Sequence, residues 1–131
     1  MRATKDELDE ITGEILDACI KVHKELGPGL LESVYELCLC QELSDRDIEF
    51  QNQVVLPVFY KGMDLNKNFV IDILVEDEIL IEIKAVEVIL PVHKAQIISY
   101  LKLADKYVGI LVNFNVPLVK DGFRRYLNGY R

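Results

Sequence analysis

Apolar residues recur at the three- and four-residue spacing of an amphipathic helix in the N-terminal part of the chain. The spaced residues are Leu8, Ile11, Ile15, Cys19, Val22 and Leu26. They predict a helix over residues 5–26, where Thr4 and Glu7 have the spacing of a capping box. Gly27-Pro28-Gly29 ends this helix, and a second helix is predicted over residues 30–44.

Strand-like segments rich in β-branched and aromatic residues occupy the middle of the chain. They are predicted over residues 53–60, 69–75 and 79–86. Pro57 cannot donate a ladder hydrogen bond, so the first of these strands is expected at a sheet edge or a bulge. Residues 61–68 are polar and are expected to form a turn.

The C-terminal part continues with a helix over residues 92–105, a near-continuous apolar strand over 107–114 and a short helix over 122–127 capped by Asp121. The main elements follow the order α-α-β-β-β-α-β. A strand, a helix and a further strand in sequence require a crossover, so the sheet is expected to be mixed, with helices on both faces. We therefore predict an α/β fold in a single domain, residues 1–131.

Three charged residues interrupt the two apolar strands in the middle of the chain. If Val75 pairs with Ile79 across the acidic turn, Asp72 lies directly opposite Glu82, and Lys84 shares their face. Directly opposed like charges destabilise a strand pair. Because the surrounding positions are apolar, the pairing predicts a cation between the two carboxylates.

Asp72 and Glu82 are hard oxygen ligands, which suit Mg²⁺ or Mn²⁺ better than zinc. The carbonyl of Ile83 lies between the charged residues and offers another oxygen. Lys84 could orient an attacking water or stabilise a transition-state oxyanion. The alternative explanation is a surface hairpin with a loose ion triad, but apolar residues on both faces of these strands argue against it.

Other polar residues have ordinary structural explanations. Glu32, near the start of the second helix, fits helix capping and the helix dipole. Gln96 and Tyr100 lie four residues apart and share one helix face, which fits a solvated surface as well as a site. His23 and His93 have no partner at a ligand spacing, so packing or surface roles are expected for both.

Composition and charge restrict the partners. The 131 residues carry a net charge of −7, which argues against a general nucleic-acid binder, although carboxylates at a metal site contribute to that charge. No apolar run is long enough to cross a membrane, and the first residues contain no signal core, so we expect a soluble cytoplasmic protein. Three cysteines without a zinc spacing are expected to be free thiols.

The motifs together resemble a known family. Asp72 followed by Glu82-Ile83-Lys84 resembles the D…(D/E)xK core of the PD-(D/E)XK nuclease superfamily. Gly29-x-x-Glu32-x-x-Tyr35 resembles the signature of its small GxxExxY branch. Flanking segments typical of that branch are residues 27–32, 56–62 and 84–87. The chain departs from the pattern in having Ile71, not proline, before Asp72.

The resemblance implies a restriction-endonuclease-like, four-stranded mixed sheet flanked by helices. It implies metal ligation by Asp72 and Glu82, with Lys84 as the catalytic lysine. It adds Glu32 as a metal ligand and site residue. Gln96 matches the polar residue that relatives carry on the helix after the lysine strand.

The expected function is therefore Mg²⁺- or Mn²⁺-dependent hydrolysis of a nucleic acid, DNA more than RNA, by a metal-activated water. The alternative is a catalytically inactive module that keeps the fold and binds a partner protein, which the net charge of −7 favours. Because so small a domain offers little surface for a duplex, a homodimer is expected.

Overall fold

The sheet contains five strands, which lie side by side in the order in which they occur in the chain. The computed structural model describes residues 2–129. Its elements are α1 (Lys5–Leu26), α2 (Glu32–Asp45), β1 (Phe50–Tyr60), β2 (Met63–Val75), β3 (Ile79–Lys84), α3 (Pro91–Ala104), β4 (Val108–Asn113), a 3₁₀ turn (Val119–Gly122) and β5 (Phe123–Leu127). The boundaries agree with most of the predicted elements to within a few residues.

The sheet is mixed, as predicted. β3 and β4 run parallel, whereas β1–β2, β2–β3 and β4–β5 are antiparallel pairs. The parallel pair requires a crossover, and α3 provides it because it lies between β3 and β4 in the chain. The result is an α/β fold with β3 at the centre of the sheet.

The prediction of four strands and a C-terminal helix was wrong. Residues 123–127 form β5, which pairs with β4 from Val108↔Leu127 to Val112↔Phe123. Asp121 lies in the 3₁₀ turn before this strand and does not cap a helix. The apolar residues of this segment are spaced as in a helix, but pairing with the otherwise open edge of β4 overrides that local preference.

The polar turn predicted over residues 61–68 is also wrong. Only Lys61 and Gly62 form the turn, with φ of 50° and 77°, and the chain continues directly into β2. Positive φ at both central residues is the geometry of a tight β-hairpin turn. The segment is polar because the hairpin is exposed along residues 59–70. Pro57 lies in edge strand β1 beside a register shift, as its chemistry predicted.

Helices cover both faces of the sheet. One apolar cluster joins α1 and α2 to the sheet, with Leu8, Tyr35, Ile81 and Phe114 among its buried residues. A smaller cluster packs α3 against the opposite face and includes Leu80 and Ile97. Burying such side chains contributes about 1.5–3 kcal/mol each, so the two layers account for much of the stability of the sheet.

The beginning of α1 confirms Thr4 as the N-cap residue, which is one half of the predicted capping box. The Thr4 hydroxyl accepts a hydrogen bond of 3.1 Å from the main-chain N–H of Glu7. Acidic residues in the first turn also favour this end of the helix dipole. Across residues 2–129, no helix has both the length and the apolar character needed to span a bilayer.

Candidate active site

Asp72 lies where the regular ladder on both sides of β2 is interrupted. On one side, Asn52↔Ile73 and Val54↔Ile71 are paired, but the intervening Gln53 has a φ of 53° and no paired partner. On the other side, the β2–β3 ladder runs from Val75↔Ile79 to Ile73↔Ile81 and stops there. The predicted turn register is confirmed, and the interruption frees the Asp72 main chain for other bonds.

Asp72 and Glu82 meet through a reciprocal pair of hydrogen bonds. The main-chain N–H of Asp72 donates to Oε2 of Glu82 at 2.9 Å. The main-chain N–H of Ile83 donates to Oδ2 of Asp72 at 2.8 Å. Each carboxylate therefore occupies a position that a strand-to-strand main-chain bond would otherwise fill. The structure brings together the two carboxylates that the sequence placed opposite each other.

Burial sets the electrostatics of this pair. The Glu82 side chain belongs to the core, with only 4% of the residue exposed. Burial, followed by the negative charge of Asp72, raises the pKa of Glu82 to about 8. Burial also raises the pKa of Asp72, while the Ile83 N–H and the Lys84 ammonium lower it. Two adjacent acidic groups are thus held at a site that disfavours both charges.

Lys84 ends β3, two residues after Glu82, and is half-buried. Its ammonium lies close enough to lower the pKa of both Asp72 and Glu82. Its main-chain carbonyl accepts a 2.9 Å hydrogen bond from the N–H of Phe114, which anchors the end of the strand. Lys84 therefore lies near both carboxylates, on the strand that carries Glu82.

Asn113 fixes the chain just beyond Lys84, a role that the sequence did not indicate. Its side chain is buried, with only 3% of the residue exposed. Its Oδ1 accepts from the Val86 N–H at 3.1 Å, and its Nδ2 donates to the Val86 carbonyl at 2.9 Å. These two hydrogen bonds to the main chain of Val86 extend the β3–β4 contact past the strand end. In the sequence, the only sign of this role was an amide residue at the end of an otherwise apolar strand.

The loop before α2 explains the spacing of Gly29, Glu32 and Tyr35. Gly27 and Gly29 adopt positive φ values of 70° and 95°, which favour glycine. The Tyr35 hydroxyl donates to the Gly27 carbonyl at 2.5 Å and accepts from the Leu30 N–H at 3.2 Å. Its ring stacks on Phe114, with centroids 4.4 Å apart. The tyrosine therefore fastens the loop that presents Glu32.

Glu32 is the first residue of α2, since the helix begins two residues later than predicted. Its Oε2 accepts from the N–H of Ala85 at 3.2 Å, which joins the start of α2 to the residue after Lys84. Its charge raises the pKa of Asp72. Glu32 is exposed and lies beside the carboxylate pair. Its side chain bonds to the main chain just after β3 instead of capping its own helix.

Glu36 is a further acidic residue at the site, one turn after Glu32 on α2. Its charge raises the pKa of Asp72 and of Glu82. Its carboxylate accepts hydrogen bonds from Asn52 at 3.4 Å and Gln53 at 2.8 Å. The four-residue spacing from Glu32 was the signal that could have identified it, because such residues share a helix face.

Gln96 and Tyr100 approach the site from α3. The amide Nε2 of Gln96 donates to the Tyr100 hydroxyl at 3.2 Å. Burial raises the pKa of Tyr100, and the charges of Glu82 and Asp72 raise it further. The predicted pair therefore lies on the side of α3 that faces the carboxylates, with Gln96 half-buried and Tyr100 buried.

His23 and His93 lie apart from this cluster. His23 is buried, and its Nε2 lies 2.9 Å from the carbonyl oxygen of Val116. The Nδ1 of His93 accepts from the Leu90 N–H at 3.0 Å at the start of α3. Both have the structural roles expected from the sequence.

The donor set at Asp72 and Glu82 fits a hard divalent cation. Both ligands are carboxylates, and the hydrogen bonds to main-chain N–H groups engage one oxygen of each. A cation would compensate for the burial that raises both pKa values and for the negative charges around the pair. Within residues 2–129, no three His, Cys, Asp or Glu side chains converge as a metal-binding group, so Glu32 stands near the pair without completing a preformed triad.

Comparison with protein families agrees with the α/β fold. No curated protein and no solved structure matches the chain. The family model described as the PD-(D/E)XK nuclease superfamily matches residues 9–126, from α1 into β5. The matched range includes Glu32, Asp72, Glu82, Lys84 and Gln96. The chain belongs to the PD-(D/E)XK nuclease superfamily.

Proposed function

We propose that this protein is a metal-dependent nuclease that hydrolyses phosphodiester bonds of DNA or RNA. The observation that supports the proposal is the reciprocal bonding of Asp72 and Glu82, which holds two carboxylates together in a largely apolar sheet. The superfamily match gives the nuclease-type chemistry. Lys84, at the end of the same strand as Glu82, supplies a cation beside the pair.

Asp72 and Glu82 would hold the ion, with the Ile83 carbonyl as a further oxygen donor. Bound Mg²⁺ or Mn²⁺ supplies a water of lowered pKa and neutralises charge developing at phosphorus. We include Glu32 as an additional ligand from α2, because its charge already acts on Asp72. Glu36 keeps Gln53 in place beside Asp72 through its hydrogen bond of 2.8 Å.

Lys84 and Gln96 have roles toward the water and the phosphate. The Lys84 ammonium, held by the anchored end of β3, would orient the attacking water or stabilise negative charge on a phosphoryl oxygen. Gln96 would position water or phosphate by its amide, and Tyr100 fixes that amide through their 3.2 Å hydrogen bond.

Three finer assignments belong to the proposal: the GxxExxY branch, a homodimer and a preference for DNA over RNA. The glycine-rich loop, Glu32 and the Tyr35 anchor support membership of the GxxExxY branch. A homodimer, acting on DNA in preference to RNA, would supply the surface that one small domain lacks. Sedimentation velocity that shows only a monomer at high protein concentration would remove the dimer from the proposal.

The test is a cleavage assay with Mg²⁺ or Mn²⁺ on single-stranded, duplex and branched DNA and on RNA. Wild type is expected to cut at least one substrate, and Asp72→Asn and Lys84→Ala are expected to abolish cutting. Asp6→Asn and Lys24→Ala, which change exposed residues of α1, are the matched charge controls and should retain activity.

Two results would overturn the proposal. One is the absence of metal-dependent cleavage of any substrate by folded wild-type protein. The other is cleavage that survives Asp72→Asn, which would identify a contaminant or a different site. The first result would favour the inactive module that binds a partner protein, with which the net charge of −7 is compatible.

A further inference from the structure

We infer that the hairpin arm, defined as residues 55–70, holds single-stranded nucleic acid by stacking of bases on its aromatic side chains. The inference rests on the proposed function and names its substrate class. The arm comprises the end of β1, the Lys61-Gly62 turn and the beginning of β2. The arm leads directly into Ile71 and Asp72. A single-stranded nucleic acid bound along the arm would therefore extend to the carboxylate pair.

The arm carries an unusual amount of exposed apolar surface. Within residues 2–129, seven of the sixteen exposed large hydrophobic residues lie in it. They are Val55, Phe59, Tyr60, Met63, Leu65, Phe69 and Val70. Such a concentration marks an interaction surface rather than ordinary solvent exposure.

The aromatic residues of the arm suit nucleobases. Phe59 and Tyr60, at the tip, are 55% and 58% exposed, and Phe69, nearer the site, is 42% exposed. The Phe69 ring lies 5.2 Å from the ring of Tyr100, which connects the arm to the helix carrying Gln96. Aromatic side chains stack on the faces of unpaired bases, and these faces are accessible only in single strands.

The charge of the arm also favours single-stranded nucleic acid as the ligand. The arm contains Lys61, Lys67 and Asp64, a net charge of +1 in a chain whose net charge is −7. The Lys61 ammonium lies 5.4 Å from the centre of the Tyr60 ring, so cation and aromatic face form one surface. Two lysines are too few to hold a duplex through its phosphates, whereas stacking needs little positive charge.

The test is fluorescence anisotropy with a labelled oligothymidylate of about 15 nucleotides, measured in EDTA so that no strand is cut. Phe59→Ala with Tyr60→Ala is expected to weaken binding by about tenfold or more, whereas Phe59→Trp with Tyr60→Trp should retain it. Leu127→Ala changes a residue that is 46% exposed on the opposite edge strand and serves as the matched control. A duplex of the same length should bind more weakly than the single strand.

Salt dependence provides a second measurement on the same complex. Two lysine–phosphate contacts on a single strand predict a slope of about −1.4 in the logarithm of the association constant against the logarithm of salt concentration. Lys61→Gln with Lys67→Gln should flatten this slope while leaving most of the affinity at high salt. A much steeper slope would mean that phosphate contacts elsewhere dominate, and it would overturn the stacking mechanism.

The binding assay and the cleavage assay test the two proposals separately. Oligonucleotide binding that requires Phe59 and Tyr60, without cleavage under any metal condition, supports the arm and overturns the proposed nuclease activity. Cleavage with an unchanged KM in the alanine double variant supports the nuclease and overturns the arm, as does wild-type protein that binds no single strand. If the double variant dissociates a dimer and leaves oligonucleotide affinity unchanged, the arm is a contact between copies of the chain.

Discussion

The Tyr35 ring stacks on Phe114 with an interplanar angle of 7°, while its hydroxyl bonds to the Gly27 carbonyl. One side chain thus couples the loop before α2 to the segment after β4. Tyr35→Phe keeps the stack and loses the hydroxyl bonds, so we expect it to cost about 1 kcal/mol of unfolding free energy. Tyr35→Ala should cost about 3–5 kcal/mol, because it also opens a cavity in the core.

Urea unfolding of both variants checks this expectation, with Tyr60→Phe, an exposed tyrosine, as the control. Equal losses for Tyr35→Phe and Tyr35→Ala would contradict the division between stack and hydroxyl.

The raised pKa of Glu82 predicts how the stability of the metal-free protein depends on pH. Its pKa rises from an ordinary 4.5 to about 8 on folding. Between these values the unfolded chain has lost a proton that the folded protein retains, so the free energy of unfolding falls as pH rises through this window. Urea unfolding in EDTA at pH 5, 6.5 and 8 should show this fall, and Glu82→Gln should reduce it.

Glu87→Gln removes one exposed negative charge just after β3 and is the control for a change in net charge alone. If Glu82→Gln and Glu87→Gln give the same pH dependence as wild type, burial of Glu82 is not the cause.

Metal binding should raise stability at a pH where the carboxylates are ionised. We expect Mg²⁺ or Mn²⁺ at about 100 times its Kd to add about 2.7 kcal/mol to the unfolding free energy of wild type at pH 9. Asp72→Asn should remove most of this gain, since it removes one of the two paired carboxylates. Differential scanning fluorimetry with and without EDTA measures the effect, and an equal gain in Asp72→Asn would exclude this site.

The two hydrogen bonds between Asn113 and Val86 are expected to hold the chain just after Lys84 in place. Asn113→Asp places an acceptor against the Val86 carbonyl, where Nδ2 now donates at 2.9 Å. A buried acceptor without its donor costs about 1–3 kcal/mol, so unfolding free energy should fall by that amount. Asn115→Asp, at a half-buried position two residues later, is the comparison. Similar unfolding curves for Asn113→Asp and wild type would contradict the role of this clamp.

Thiol reactivity should distinguish the three cysteines. Burial raises the pKa of Cys19 strongly, and burial together with the Glu36 charge raises the pKa of Cys40 to about 11. Both should therefore resist a thiol reagent at pH 8, because little thiolate forms. Cys38 is partly exposed and should react first. Labelling of the native protein followed by peptide mass spectrometry would identify the site, and Cys38→Ser should remove the fast phase.

The sequence predicted what local periodicity controls. A short turn and two-residue alternation were sufficient to bring Asp72 and Glu82 together, since Val75 pairs with Ile79 as expected. The loop glycines and the cap at Thr4 were equally readable, because each satisfies a local backbone requirement. These features depend on neighbours within a few residues in the chain.

Features set by distant contacts were missed. β5 depends on the open edge of β4, and the length of β2 depends on its pairing with β1. Glu36 became visible as a site residue only when α2 was placed beside Asp72. The interruption at Gln53 and Asp72 likewise has no local signature, because two neighbouring strands produce it together.

β5 has a consequence for the behaviour of shortened chains. All six residues of β4 are buried, and β5 bonds to the strand edge that β3 leaves free. A chain cut before Phe123 would present that edge as an uncovered template for another molecule's main chain. β5 replaces this buried apolar edge with a shorter edge strand that carries Arg124 and Arg125, and charge on a short edge strand disfavours pairing with another molecule. Proteolysis near residue 122 is therefore expected to promote aggregation.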